Sequence, residues 1–221
     1  IQPQGKTVSI GAEIGHIGGK NSTAEDLIAF MDGYLALKES SLTGIAKISA
    51  QTGTSHGGIP LPDGTIAKVQ LDFGVLESVG KVAREKYHVG GAVQHGASTL
   101  PNELFNEFPK HKTLEIHLAT GFQNIVYDTM PKELSEKISL WLEENCKNES
   151  EEGWNKEQFI YKTRKKALGP FKKDLWMLAK NEKEPILSAL KEQFRFLFDK
   201  LGVFQTKLVV DTYVSTGNNT D

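Results

Sequence analysis

Two short stretches of this chain combine residue types that can do chemistry. One is Gln51-Thr52-Gly53-Thr54-Ser55-His56-Gly57-Gly58, and the other is Gln94-His95-Gly96-Ala97-Ser98. Each follows an apolar run of β character, Ile45 to Ala50 in the first case and Val89 to Val93 in the second. Each then sets one histidine directly before glycine. Imidazole is the commonest protein ligand of zinc, and a catalytic zinc takes three protein ligands with one position left open. Glycine beside the ligand lets a substrate phosphate approach the backbone closely. The plainer alternative is a pair of loop histidines that happen to precede glycine.

Such groups need elements that hold them, and the surrounding pattern supplies them. An apolar run from Thr7 to Ile14, with Glu13 near its end, precedes a helix opened by Thr23 and the acidic pair Glu25-Asp26. Leu27, Phe30, Met31, Tyr34 and Leu35 give that helix one buried face, and Val75, Leu76, Val79, Val82 and Ala83 do the same between Leu71 and Tyr87. A third strand at Ala92-Val93 and a fourth at Thr113 to Leu118 complete the alternation, with Pro101 to Phe108 as a short helix or loop between them. Strand and helix in turn predict a parallel sheet with helices outside it. Glu13, His56, His95 and His117 then stand at four strand ends, the layout of a barrel with its active site at the carboxyl ends of the strands. After Gly121 the chain predicts helices over Pro131 to Asn145, Asn155 to Leu168 and Glu184 to Leu201, with Gly169-Pro170 as a break. Phe204 to Val214 reads as a closing extended segment.

The composition of the 221 residues narrows the function classes. A formal net charge of −2 argues against a broadly basic nucleic-acid surface, and no apolar run approaches the roughly 18 residues of a membrane span. Neither nucleic acid nor membrane is therefore expected as a partner. Cys146 is the only cysteine and sits in polar sequence, so no internal disulfide forms and a reducing, cytoplasmic setting is expected. His16, His88 and His111 read as surface residues. The basic clusters Lys162 to Lys166 and Lys172-Lys173 read as solvated helix faces. Ile1 opens the chain close to a strand, so a preceding segment is expected.

Glu13-Ile14-Gly15 with Gly18-Gly19, Gly53 to Gly57, Gln94 to Ser98, and His117-Leu118-Ala119-Thr120 follow one another in an order that resembles the class II, metal-dependent ketose-bisphosphate aldolases. The likeness covers roughly residues 7–130. It implies a TIM (β/α)8 barrel of which this chain supplies the second half, residues 1–130, plus a helical extension at 131–221 that serves as an oligomer contact. It implies a lyase that splits fructose 1,6-bisphosphate into dihydroxyacetone phosphate and glyceraldehyde 3-phosphate, in glycolysis and gluconeogenesis, and works as a homodimer or larger homo-oligomer. Tagatose bisphosphate as substrate, or a non-catalytic sugar-phosphate-binding subunit, are the alternatives.

By the same resemblance His56 and His95 match zinc ligands, and Glu13 matches an acidic residue near the metal. Gly57, Gly58, Gly96, Ala97, Ser98, Ala119 and Thr120 match the phosphate-holding segments, with a monovalent cation, Na+ or K+, near Gly57 and Gly96 in some members. Two departures stand out. Lys20-Asn21-Ser22 occupies the place of a loop that commonly carries glutamate, and His117 replaces an asparagine beside the dihydroxyacetone moiety.

Overall fold

The computed structural model describes residues 8–16, 19–53, 61–62 and 71–214. Four parallel strands, β1 (Gly11–Glu13), β2 (Lys47–Ala50), β3 (Ala92–His95) and β4 (Glu115–His117), form one sheet in the order β1-β2-β3-β4. Helices α1 (Ala24–Leu37) and α2 (Phe73–Tyr87) and the short α3 (Glu107–Lys110) connect them. The expected parallel α/β layout is therefore present.

Register decides which side chains share a face. Glu13 aligns with Ser49, Ser49 with Val93, Val93 with Glu115, and His95 with His117. Because side chains alternate along a strand, Glu13, Lys47, Ser49, Val93, His95, Glu115 and His117 lie on one side. Ala12, Ile48, Ala50, Ala92 and Ile116 lie on the other, where they pack with Leu27 and Met31 of α1 and with Leu76, Val79 and Ala83 of α2. One face is thus apolar and helix-covered, and the other is almost wholly polar.

Caps fix where the two covering helices begin. Thr23 and Asp26 form a capping box: the Thr23 hydroxyl accepts from the Asp26 N–H at 3.2 Å, and the Asp26 carboxylate accepts from the Thr23 N–H at 2.9 Å. Asp72 accepts from the Gly74 N–H at 3.0 Å and caps α2.

Beyond β4 the chain is helical: α4 (Thr120–Thr129), α5 (Lys132–Asn145), α6 (Lys156–Thr163), α7 (Lys172–Met177), α8 (Lys180–Lys200) and α9 (Lys207–Tyr213). A second core gathers Tyr127, Met130, Leu134, Ile138, Leu142, Phe159, Phe171 and Ile186. Helix α8 joins both cores, placing Ile186 in the second and Leu197 in the first.

Several expectations need correction. The segment expected to be extended after Phe204 holds helix α9, in which Leu208-Val209-Val210 finds no strand to pair with among the described residues and closes its hydrogen bonds locally. The helix expected from Asn155 to Leu168 ends at Thr163 and tightens into a 3-10 turn at Arg164–Leu168. Helix α8 starts at Lys180, ahead of Pro185, and α4 and α7 were not foreseen. Cys146 is buried in the second core, one turn beyond Leu142 on the same side of α5.

Among the described residues no helix is long and apolar enough to cross a membrane. Leu76 is fully buried between α2 and the sheet, so Leu76→Ala is expected to cost about 2–5 kcal/mol. Leu187 on α8 is 56% exposed, and Leu187→Ala should stay within about 0.5 kcal/mol of the parent. Denaturant unfolding of both variants checks the assignment of the core.

Candidate active site at the strand carboxyl ends

His95 closes β3, and Gly96 immediately takes φ +76, turning the chain off the sheet into a short 3-10 turn at Ala97–Thr99. An L side chain would be strained at that φ, which gives the histidine-glycine step a conformational reason. The His95 ring then meets polar groups from three other strands. Its Nε2 lies 3.0 Å from Ser49 Oγ, its Nδ1 lies 3.2 Å from Glu13 Oε1, and its face stacks on the His117 ring with centroids 4.5 Å apart. An ionised carboxylate can only accept, so the Glu13 contact puts the imidazole proton on Nδ1 and directs the Nε2 lone pair toward the Ser49 hydroxyl.

The chain of contacts continues sideways. His117 Nε2 lies 3.0 Å from Glu115, and Lys47 Nζ donates to both Glu115 oxygens at 2.8 Å. The hydrogen bond from Lys47 holds the Glu115 carboxyl below the usual carboxylate range, with His117 adding to the effect against partial burial. A line of interacting polar groups therefore runs from Lys47 through Glu115 and His117 to His95 and Glu13.

Next to these groups, at the strand ends, sits a buried polar network. The Gln94 carboxamide accepts from Thr52 Oγ1 at 2.8 Å and donates to the His95 carbonyl. Ser22 Oγ donates to the Ile14 carbonyl at 3.3 Å and accepts from the Gln51 N–H at 3.0 Å. Ser22, Gln51, Thr52 and Gln94 are all buried. They tie the ends of β1, β2 and β3 together at the root of the segment that runs on to His56. The polar residues at Lys20-Asn21-Ser22 thus have a structural use here: Ser22 is a tether.

Beside His95 lies a pocket of about 180 Å³ lined by Gly96, Ser98, His117, Leu118, Ala119 and Thr120. The Ala119 N–H donates to Ser98 Oγ at 3.2 Å. Helix α4 begins at Thr120 with no side-chain cap, so its first amides stand open at the pocket's edge, where an anion is favoured.

Of the expected site residues, Glu13, His95, Gly96, Ser98, His117, Ala119 and Thr120 come together at this end of the sheet. Ala97 is buried beneath the turn and does not line the pocket. His56, Gly57 and Gly58 lie outside the described residues. Ser49, Lys47, Glu115 and Gln94 were missed as site residues. Alternation along β2 and β4 would have put the first three on the histidine face.

Among the described residues no group of three or more histidine, cysteine, aspartate or glutamate side chains converges as a cation site. The donors that do meet, one imidazole and one carboxylate, are of the kinds that divalent metals take. A histidine whose second nitrogen is held by a carboxylate is the usual arrangement of a metal-ligating imidazole, because it fixes the ring and raises its basicity. Glu13 and His95 have that arrangement.

The profile of the class-II fructose-bisphosphate aldolase family matches residues 4–185. Among solved structures, the fructuronate-tagaturonate epimerase UxaE from Cohnella laeviribosi superposes with a TM-score of 0.60 at 11% identity, over 91% of this chain and 47% of its own. A Coccidioides immitis protein provisionally described as a fructose-1,6-biphosphate aldolase gives 0.45 at 19% identity, over 89% and 54%. The YdjI aldolase from Escherichia coli K12 gives 0.36 at 16% identity, over 82% and 52%. The chain spans about half the length of each. At such identities the epimerase likeness shows the fold alone. No curated protein matches the chain.

The Lys47–Glu115 pair yields a pH prediction. The folded pKa of Glu115 is depressed, so the pair stabilises the fold above the unfolded carboxylate value of about 4.3. That stabilisation is lost as pH falls through the folded value. Lys47→Met should therefore lower the urea midpoint at pH 7, and the gap to the parent should shrink at pH 3. A gap of equal size at both pH values would mean that the pair is not the cause.

Proposed function

This chain belongs to the class-II fructose-bisphosphate aldolase family, and on that premise we propose that it carries the substrate-holding half of a zinc-dependent aldolase. The intact protein cleaves fructose 1,6-bisphosphate to dihydroxyacetone phosphate and glyceraldehyde 3-phosphate and runs the reverse condensation. The observation that supports this most is the juxtaposition of the Glu13–His95 pair with the pocket of Gly96, Ser98, Ala119 and Thr120. In this reading the polar face of β1 to β4 is the inner wall of a (β/α)8 barrel that further strands complete.

Each group then has a task. The pocket at the start of α4 seats a phosphate through backbone N–H groups, with the Ser98 hydroxyl at its rim. That grip fixes the scissile carbon–carbon bond, so binding energy far from the reacting atoms is used for orientation. His117, stacked on His95, reaches an oxygen of the dihydroxyacetone part. Glu13 holds the His95 ring with its lone pair on Nε2. Zinc, held by His95 and His56, would supply Lewis-acid stabilisation of the negative charge that develops on the substrate oxygens. Na+ or K+ would sit near Gly57 and Gly96. The helices after residue 131 would form the contact of a homodimer or larger assembly, with exposed Phe194, Phe198 and Tyr213 as a surface for a second copy.

Ser22 favours a second reading, because its buried hydrogen bonds use a loop position where the family commonly has a proton-exchanging glutamate. A non-catalytic sugar-phosphate-binding protein would bind a hydroxamate mimic of the enediolate without turning substrate over. His117 in place of asparagine keeps tagatose bisphosphate as a rival substrate, and comparing the turnover of the two epimers separates them.

In the intact protein His95→Ala should lower both zinc content and fructose 1,6-bisphosphate cleavage by more than about 100-fold, the upper end for a mere supporting partner. Glu13→Gln should weaken zinc retention by about 10–100-fold. Elemental analysis of the dialysed protein, beside a coupled triose-phosphate assay, reads both effects. Undiminished cleavage after complete metal stripping would sink the proposal.

A further inference from the structure

A second cavity, of about 460 Å³, lies between α4, α5 and α6, away from the strand ends. Its wall is mixed: Leu61, Ile160 and the Tyr161 ring give it an apolar part, and Asn124, Ser135, Ser139, Gln158 and Arg164 supply polar groups. Arg164 comes from the basic cluster expected to be a solvated helix face, yet its side chain is only 11% exposed. The guanidinium carbon sits 4.9 Å from the centre of the Tyr127 ring and 4.6 Å from that of Tyr161, so the group is clamped between two aromatic faces.

The clamp holds the cation without satisfying it. Guanidinium has five N–H donors, and among the described residues its one acceptor within bonding distance is Asn124 Oδ1. The nearest carboxylate, Asp128, is 3.8 Å away and 70% exposed. Burial pushes the Arg164 pKa down, as expected for a charge that is under-compensated. Asp128 and Glu157 are both exposed and both border the cavity, so negative charge stands at the rim and positive charge inside. Ser139 donates its hydroxyl proton to the Ser135 carbonyl at 2.9 Å, which leaves its oxygen as an acceptor in the wall.

A bare anion would meet two carboxylates on entry. A molecule with a carboxylate at one end and a hydrogen-bond donor beside it answers both signs of charge. We propose that this cavity binds a small carboxylic acid carrying an ammonium or hydroxyl group on the adjacent carbon. Its carboxylate pairs with the edge of Arg164 in a fork, and its donor group faces Asp128 and Glu157. The site shares no side chain with the strand-end pocket, so it stands or falls independently of the aldolase reading.

Calorimetric titration of the intact protein with L-serine, L-aspartate, D-glycerate and L-malate tests this. Saturable one-to-one binding of at least one probe is expected. Arg164→Gln should weaken it by about tenfold or more, and Arg164→Lys should fall between, because an ammonium cannot form the fork. Asp128→Asn weakening only the amino-acid probes identifies an amino acid as ligand, and equal affinity after that change identifies a hydroxy acid. Ser139→Leu fills the cavity from α5 while leaving the arginine clamp in place. It should abolish binding at an unchanged unfolding temperature, which guards against an Arg164 variant that fails to fold. No saturable heat from any of the four probes at millimolar concentration, or binding that survives both Arg164→Gln and Ser139→Leu, overturns the proposal.

Discussion

Alternation of side chains along four short parallel strands is the constraint on which the rest of this structure depends. The sheet must bury one face under α1 and α2, and Ala12, Ile48, Ala50, Ala92 and Ile116 commit the even positions to that task. Every odd position then points the other way. A parallel sheet is usually apolar on both faces, because helices cover both. Here the second face carries two carboxylates, a lysine, a serine and two imidazoles. Such groups are tolerable together only if they compensate one another. They do so through a row of hydrogen bonds, Lys47 to Glu115 to His117, with His95 stacked alongside and bound to Glu13 and Ser49.

That row would be of little use if the strand ends could shift, and the buried amides and hydroxyls behind them prevent it. Ser22, Gln51, Thr52 and Gln94 are all buried at the strand ends, where water cannot replace a lost partner. A buried polar group that loses its hydrogen bond costs about 1–3 kcal/mol, so the network penalises slippage of one strand end against the next. The same residues anchor the start of the segment toward His56. A loop that carries function is thereby rooted in a rigid scaffold.

Much of this was legible in the sequence, and the failures have physical causes. Glu13, His95 and His117 could be read as strand-end residues because apolar runs and glycine mark where each strand stops. The structure adds that Gly96 turns at positive φ. Ser49 was passed over because a serine within an apolar run looks like filler until its register with Glu13 is known. Lys47 and Glu115 are 68 residues apart, and no local pattern links them. Helix α4 was hidden because Ala119 precedes it where a capping hydroxyl or carboxamide would announce a start. Helix α9 was misread because Val209 and Val210 favour strands only where a strand exists to pair with. Arg164 was lost in a basic run in which Lys165 and Lys166 do face water, since sequence does not reveal that two tyrosines flank it.

Helix α4 shows how the sheet and the helical region form one mechanical object. Its first turn, at Thr120, belongs to the rim of the pocket beside His95. Phe122 stacks on Phe194 of α8 with ring centres 4.8 Å apart. Asn124 takes the Arg164 guanidinium, and Tyr127 enters the second core. Successive turns of a ten-residue helix therefore answer to four different neighbours, and a stiff helix cannot satisfy a change in one of them without moving against the others. Whatever displaces α6 or α8 is felt at Thr120 unless α4 itself bends, and it contains no proline and no internal break at which to do so. The geometry of the anion-favouring turn is thus set jointly by the strand that precedes it and by helices that the chain adds only later.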